Sequence, residues 1–373
     1  MTWERGTLAD FLGDYVVYRN LEPMRRDMRG LRAVWADMGL PHYYIPRKTE
    51  PEYARALVSF LRQAQRVRGV LASLERLLFI GDTLMNDGTA ARNVGQHLPL
   101  MGFIGSDRLT QPRRVEIDGE LMVANRWGAL ADFVEWLLAS RFPCDERTAL
   151  LIDLDKTSLG ARGRNDQVID SARVRAVQRT MRAALGEGFD VVSFRMVYDR
   201  LNQPRYHHFT ADNQDYLAYI CLMVSGGACA SADLWRELAD GRLSMIGDFV
   251  ARCDARRSRM SSDLLAAHEE VRHGLEVKDP TPFKGFRRGE YLETIACMDV
   301  LPDDATEEEV LSSEIVITAE VSAVAGYMAE RGVLLFGISD KPDEASVPTI
   351  DQAAEGYRPI HRAVMKMYGT RAI

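Results

Sequence analysis

Short apolar segments that end in polar residues recur along this chain, and they constrain its fold more than any other feature. They span residues 77–81, 149–155 and 333–339. Stretches with apolar residues at helical spacing, such as residues 52–74 and 127–138, separate them. Continuous apolar strands that alternate with amphipathic helices are typical of a parallel sheet covered by helices on both faces. We therefore predict an α/β fold built on a Rossmann-like parallel sheet.

The composition argues against several classes of protein. The 373 residues are 46% hydrophobic and include 13 Phe, 13 Tyr and 5 Trp, so the chain can bury a sizeable core and is not expected to be disordered. No apolar run reaches the roughly 18 residues that span a bilayer, and the first residues form no apolar leader. We therefore expect a cytoplasmic protein without membrane segments. A net charge of −7 argues against a general nucleic-acid-binding protein.

The distribution of strand patterns predicts the domain organisation. Helical patterns dominate between about residues 166 and 310, whereas strand patterns lie on either side of this block. We therefore predict that residues 1–165 and 311–373 build one α/β core, and that residues 166–310 are a mainly helical insert. A length of 373 residues agrees with two domains at roughly 150 residues each.

Weaker patterns predict further elements. Residues 7–38 and 360–368 fit helices, and residues 39–46 and 191–197 fit short strands. Residues 115–123 alternate in polarity around an Asp-Gly pair, which predicts a β-hairpin.

Acidic residues follow two of the apolar segments. Asp153 and Asp155 end one segment, with Thr157 just beyond, and Asp82 and Asp87 follow the other. Open parallel sheets bind ligands at the carboxyl ends of their strands. Carboxylates at such an edge can hold a hard cation such as Mg²⁺ and can transfer protons. Taken alone, Asp153 and Asp155 also fit a pair of exposed acids that cap a turn.

Lysines are scarce enough to single out candidates for phosphate binding. Only six of the 47 basic residues are Lys, which biased codon usage explains. Lys48 precedes a predicted helix with Pro51 near its first turn, and Lys341 follows the segment that ends at Ser339. A hydroxyl and backbone amides at a strand end can hold phosphate oxygens. The alternatives are a simple turn at Ser339 and a solvated helix entry at Lys48.

Together these features resemble the motifs of the haloacid dehalogenase-like superfamily of phosphohydrolases. The run from Asp153 to Thr157 resembles its first motif, and the strand that ends at Ser339 resembles its second. Lys48 ahead of a helix resembles the third motif, and Gly-Asp82 with Asp87 resembles the fourth. Here the motifs run third, fourth, first, second, a cyclic rotation of the family's order. The chain is therefore similar to a circularly permuted member of that family, with the helical insert as its cap.

The resemblance implies a two-step, Mg²⁺-dependent phosphoryl transfer. Asp153 would attack phosphorus, and Asp155 would protonate the leaving oxygen and then activate water. Ser339 and Lys48 would bind the transferred phosphoryl group, and Thr157 would orient the phosphate-binding loop. The implied metal ligands are Asp153, the backbone carbonyl of Asp155, Asp82 and Asp87. This arrangement requires Lys48 and Asp82 to lie within a few ångströms of Asp153.

The leading functional hypothesis is a phosphatase for a small phosphorylated metabolite. Lys284, Arg287 and Arg288, in the helical insert, are candidates for substrate contact. The alternatives are a phosphomutase, a catalytically inactive binding or regulatory protein on the same scaffold, and a metal-dependent glycosyltransferase. Lys341 is an alternative to Lys48 as the phosphate-binding lysine. The Arg-rich first 40 residues could pack on a partner subunit, so a homo-oligomer is an open alternative.

Overall fold

The structure, a computed structural model, describes residues 2–40 and 42–371. The chain divides into two compact units, one formed by Met1–Ser171 with Thr294–Ile373 and the other by Ala172–Glu293. The second unit lies inside the block of residues 166–310, for which the sequence predicts a helical insert. Among the described residues, no helix is both long enough and apolar enough to cross a bilayer.

A seven-stranded sheet lies at the centre of the first unit. In spatial order its strands are β2 (Val16–Val17), β9 (Leu334–Ile338), β7 (Thr148–Asp153), β3 (Arg76–Gly81), β4 (Leu100–Gly105), β6 (Leu121–Ala124) and β5 (Val115–Asp118). Neighbouring strands are parallel except at one edge, where β5 pairs antiparallel with β6. Every residue of β4, β7 and β9 is buried, as expected for parallel strands with both faces covered. The predicted α/β class and parallel sheet are confirmed.

A second, three-stranded sheet belongs to the same unit. In it β1 (Arg5–Gly6) pairs antiparallel with β10 (Met365–Tyr368), which pairs parallel with β8 (Ile317–Thr318). The helices of the unit are α1 (Ala9–Leu12), α2 (Leu31–Val34), α3 (Pro51–Val67), α4 (Thr89–Gly95), α5 (Leu130–Ala139), α14 (Glu307–Ser313), α15 (Ala319–Ala329) and α16 (Ile350–Ala354). Phe60 of α3 shares one core cluster with Phe79 of β3 and Phe336 of β9, and this packing fixes α3 against the large sheet.

The second unit is helical. It contains α7 (Val191–Leu201), α8 (His207–Thr210), α9 (Gln214–Ser225), α10 (Ser231–Ala239), α11 (Ile246–Asp254) and α12 (Ser262–Glu276), while α6 (Asp166–Leu185) and α13 (Lys284–Ile295) cross its boundaries. All residues from 215 to 223 of α9 are buried. A helix that is buried on every side is typical of the centre of a helical domain.

The predicted helices at the two ends of the chain are wrong. Residues 7–38 form several short elements, because Gly13 at φ +56° ends α1 and because β2 pairs with β9. Residues 360–368 supply β10 instead of a helix. Both errors concern segments of weak local preference that gain backbone hydrogen bonds from strands distant in sequence.

The two short strands predicted outside the apolar segments are also wrong. Residues 191–197 lie in α7, and the Asp190 side chain caps that helix by accepting two backbone hydrogen bonds. Residues 42–46 form no strand, and Pro41 lies outside the described residues. The predicted hairpin is confirmed, because β5 and β6 are joined by a turn with Gly119 at φ +62°.

Candidate active site

Three neighbouring strands of the large sheet bring the predicted polar residues to one edge. Ile152 of β7 lies opposite Ile80 of β3, and Asp153 lies opposite Ile338 of β9. The residues that follow these strands, Asp82 and Ser339, therefore begin at the same carboxyl edge as Asp153. The sheet register alone accounts for this convergence.

Three carboxylates from two of these strand ends form a compact cluster, which we call the acid triad. Its members are Asp82, Asp87 and Asp153, all buried, and each offers an oxygen atom within 4.8 Å of the others. Asp87 is brought back to the strand end by a π-helical turn, Leu84–Gly88, of a kind that is frequent at functional sites. A Cβ atom at Gly81 would lie only 2.4 Å from Asp87 Cβ, so the close approach requires glycine there.

Hydrogen bonds fix the two triad members that lie deepest. Asp87 Oδ2 accepts from the backbone N–H groups of Asp82 at 3.1 Å and Thr83 at 2.9 Å. Asp153 Oδ2 accepts from the Thr157 hydroxyl at 2.9 Å, and Thr157 is fully buried. These bonds hold one oxygen of each carboxylate and orient the other toward the centre of the triad.

Lys48 supplies a buried cation to the triad. Its Nζ donates to Asp153 Oδ1 at 2.5 Å and also forms an ion pair with Asp87, and only 6% of its side chain is exposed. Lys48 lies just before α3, and the Asn93 side chain holds this connection by donating to the Thr49 carbonyl at 2.9 Å. The structure thus meets the requirement that Lys48 and Asp82 lie within a few ångströms of Asp153.

The electrostatics of the triad are those of crowded carboxylates. Burial and the neighbouring carboxylates raise the pKa of Asp82 well above its usual range. Burial also raises the pKa of Asp153, although Lys48 opposes the shift. Burial also acts to raise the pKa of Asp87, but the Lys48 ammonium and the hydrogen bonds from Asp82 and the Thr83 backbone together outweigh it, so the pKa of Asp87 lies below its usual value. Lys48 and Arg162, which pairs with Asp82, supply two positive charges for three carboxyl groups, so a cation bound here would relieve the remaining repulsion.

The donor set of the triad fits a hard divalent cation. Carboxylate oxygens are the ligands that Mg²⁺ prefers, usually one or two carboxylates together with water and phosphate. Asp82, Asp87 and Asp153 supply oxygen donors only. The side chain of Asp155 is not a member of the cluster and is half-buried.

The remaining predicted phosphate-site residues lie at the same edge. Ser339 is 2% exposed, and its hydroxyl accepts from the backbone N–H of Lys341 at 3.1 Å. The Thr157 hydroxyl donates a hydrogen bond to Asp153, which agrees with an orienting role. Lys48 and Lys341 are both buried, and Lys48 is in direct contact with Asp153.

Two residues that the sequence did not single out belong to this site. Arg162, in the loop after β7, forms an ion pair through Nε with Asp82 Oδ2. Tyr53, in the first turn of α3, is 1% exposed, and its hydroxyl has no hydrogen-bond partner among the described residues. The charges of Lys48 and the triad act on this hydroxyl, and burial raises its pKa above the usual tyrosine value. Neither residue shows a spacing or motif that reveals it.

The predicted substrate contacts in the second unit have different surroundings. Arg287 is buried and ion-paired with Asp215 at 2.7 Å and Glu290 at 2.5 Å, so it stabilises the helical unit and is not available to a substrate. Lys284 pairs with Asp279 at 3.0 Å. Arg288 is exposed.

Comparisons of the chain with profiles of known protein families, with curated protein sequences and with solved structures give no match. The geometry and charge of the acid triad and its neighbours are therefore the basis for assigning a function.

Proposed function

We propose that the protein is a Mg²⁺-dependent phosphatase that transfers a phosphoryl group from a small phosphorylated metabolite to Asp153 and then to water. One observation carries the proposal: residues from three separate chain segments, Lys48, Asp82 with Asp87, and Asp153, meet at one sheet edge. Such a meeting is what a cyclic rotation of the haloacid dehalogenase-like motifs requires.

Asp153 is the nucleophile in this proposal. Its carboxylate oxygen forms a bond to phosphorus while the bond between phosphorus and the leaving oxygen breaks. The hydrogen bonds from Thr157 and Lys48 orient the carboxylate, and the ammonium favours the ionised form that attacks. Lys48 also neutralises charge on the phosphoryl oxygens, and such stabilisation supplies most of the catalysis in phosphoryl transfer.

Asp155 moves the protons. In the first step it gives a proton to the leaving oxygen, and in the second it takes one from the water that attacks phosphorus and releases phosphate from Asp153. Asp155 comes two residues after the nucleophile and is half-buried, so its carboxyl group can exchange protons with water between turnovers.

The metal ligands would be Asp153, Asp82 and Asp87, together with the backbone carbonyl of Asp155. When bound, Mg²⁺ would supply positive charge for the phosphoryl oxygens and compensate the crowded triad. Arg162, paired with Asp82, would orient that ligand.

The test uses p-nitrophenyl phosphate with MgCl₂. We expect turnover by the wild-type protein and a loss of at least about a thousandfold in Asp153→Asn, because the amide cannot attack phosphorus. Asp155→Ala is expected to release about one equivalent of nitrophenolate in a burst and then stall, because this leaving group needs no proton whereas the hydrolytic step needs a base. Asp351→Asn, an exposed acid of α16, is the charge-matched control and should behave as wild type.

Two outcomes would contradict the proposal. Interconversion of phosphate isomers without phosphate release would identify a phosphomutase. The absence of turnover across a broad panel of phosphate esters, with the fold intact by circular dichroism, would favour the inactive binding or regulatory protein.

A further inference from the structure

A cleft opens beside the acid triad, between the loop after β3 and the β5–β6 hairpin. Its volume is about 390 Å³, and the residues that matter here are Asp82, Ser106, Arg108, Gln111, Arg114 and Arg162. We call it the hairpin cleft. Asp82 belongs both to the triad and to this wall, so the cleft begins where the proposed phosphoryl site ends.

The hairpin cleft carries more positive than negative charge. Three arginines line it against two acids, Asp82 and Glu116. Arg114 pairs with Glu116, and Arg162 pairs with Asp82. The guanidinium of Arg108 has no acidic partner among the described residues. Arg108 is exposed and lines the cleft, and in a chain of net charge −7 an unpaired guanidinium on a concave surface favours an anion.

The loop that carries Arg108 is held in place. The Arg126 guanidinium donates to the carbonyls of Arg108 at 2.8 Å and Gln111 at 2.6 Å. The Asn125 side chain accepts from the Arg114 backbone N–H at 2.7 Å. A loop fixed by such bonds loses little conformational freedom when a ligand binds, so its arginine contributes more to affinity.

The loop that carries Arg162 is also fixed. The Arg162 carbonyl accepts from the Asp107 backbone N–H at 2.8 Å. Gly163 has φ +77°, and a Cβ atom there would lie 1.9 Å from the Asp107 carbonyl oxygen. This close packing holds the loop of Arg162 against the loop of Arg108, and both arginines line the cleft. The atom of Arg162 that donates to Asp82 is Nε.

We infer that the hairpin cleft binds a second anionic group of the substrate, a carboxylate or a phosphate on the part of the molecule that leaves. The inference rests on the proposed function, because the triad must hold the phosphoryl group that is transferred. Arginine guanidinium groups recognise both anions through paired N–H donors. A cleft of this volume suits a small molecule, and its polar walls suit a short acid better than a large apolar one. Arg108 is then a specificity-determining residue.

The experiment compares alkyl monophosphates of increasing chain length that end in methyl, carboxylate or phosphate, with p-nitrophenyl phosphate as the reference substrate. For wild type we expect kcat/KM to be about 10- to 100-fold higher for an anionic ending than for methyl at the best chain length, mainly through KM. The carboxylate and phosphate arms show which anion the cleft prefers.

The variant Arg108→Gln should remove this preference. We expect the ratio of kcat/KM for the anionic substrate to that for p-nitrophenyl phosphate to fall about 10- to 100-fold. Arg113→Gln is the matched control, because Arg113 belongs to the same loop but pairs with Asp132 and does not line the cleft. It should keep the wild-type ratio.

The failures are distinguishable. Hydrolysis of p-nitrophenyl phosphate without any preference for an anionic ending, or a preference that survives in Arg108→Gln, overturns the inference and leaves the proposed function standing. If no phosphate ester is hydrolysed, the proposed function is overturned and the inference with it.

Discussion

Replacing Lys48 by Met tests directly whether the acid triad is a cation site. Lys48 Nζ lies 2.5 Å from Asp153 Oδ1 and also pairs with Asp87, with 6% of its side chain exposed. Methionine keeps most of the side-chain volume and removes the charge. The triad then keeps Arg162, through Asp82, as its nearest cation.

The size of the effect follows from burial. Removing one partner of a buried ion pair typically destabilises a protein by about 3–5 kcal/mol, because the remaining charge stays buried without compensation. We expect Lys48→Met to lose at least about 3 kcal/mol of unfolding free energy without metal. A ligand at a hundredfold its dissociation constant adds about 2.7 kcal/mol if it binds only the folded state. Mg²⁺ should therefore restore much of the loss, and add more to the variant than to wild type.

The assay is urea unfolding followed by tryptophan fluorescence, without metal and with saturating MgCl₂. Lys366→Met is the matched control, because Lys366 is also fully buried and donates to Glu314 at 2.9 Å and to Asp299 at 3.0 Å, outside the acid triad. We expect the control to lose a comparable free energy and to gain no more from Mg²⁺ than wild type does. Equal stabilisation of the two variants by Mg²⁺ would refute the assignment of the triad as a cation site.

Two further substitutions test the surroundings of the site. Tyr53→Phe removes a buried hydroxyl that has no hydrogen-bond partner in the part of the chain that the structure describes, so we expect stability within about 1 kcal/mol of wild type. We expect kcat to fall about tenfold, because the hydroxyl would donate to the bound phosphoryl group or to water. A large loss of stability in urea unfolding would contradict this. Burial and the nearby charges of Glu344 and Glu22 raise the pKa of Asp343 to about 7. The folded state then binds the proton more tightly than the unfolded state, so wild-type stability should fall as pH rises from about 4 to about 7. Asp343→Asn should gain about 1–2 kcal/mol relative to wild type across this range, allowing for its partial exposure, and a flat difference between urea midpoints at the two ends would contradict the reasoning.

Much of the central sheet could be predicted from the sequence. The segments that became β3, β7 and β9 are continuous apolar runs, because parallel strands covered on both faces have no exposed positions. The hairpin at Gly119 has a local signal, and so does α3. The outer elements of the fold have no such local sequence signal. β1, β2 and β8 are two residues long and exist through pairing with strands far along the chain, so no local pattern marks them.

The candidate site divides in the same way. The sequence determined which polar residues follow the strands, and the parallel sheet then required Asp82, Asp153 and Ser339 to share one edge. Lys48 could be placed with them only through the order of the family-like motifs. The positions of these residues depend on strand direction and on the order of segments along the chain, and both can be predicted from a sequence.

Only the tertiary structure decided which other groups lie beside the triad and in the hairpin cleft. Tyr53, Arg162 and Arg108 lie on a helix turn and two loops, and their positions depend on how those segments close over the sheet edge. Arg287 shows the reverse case, since a basic residue that suits a substrate by composition is held by Asp215 inside the helical unit. Contacts between side chains of different loops are determined by packing and charge compensation between distant segments. The spacing of residues along the chain does not reveal these contacts.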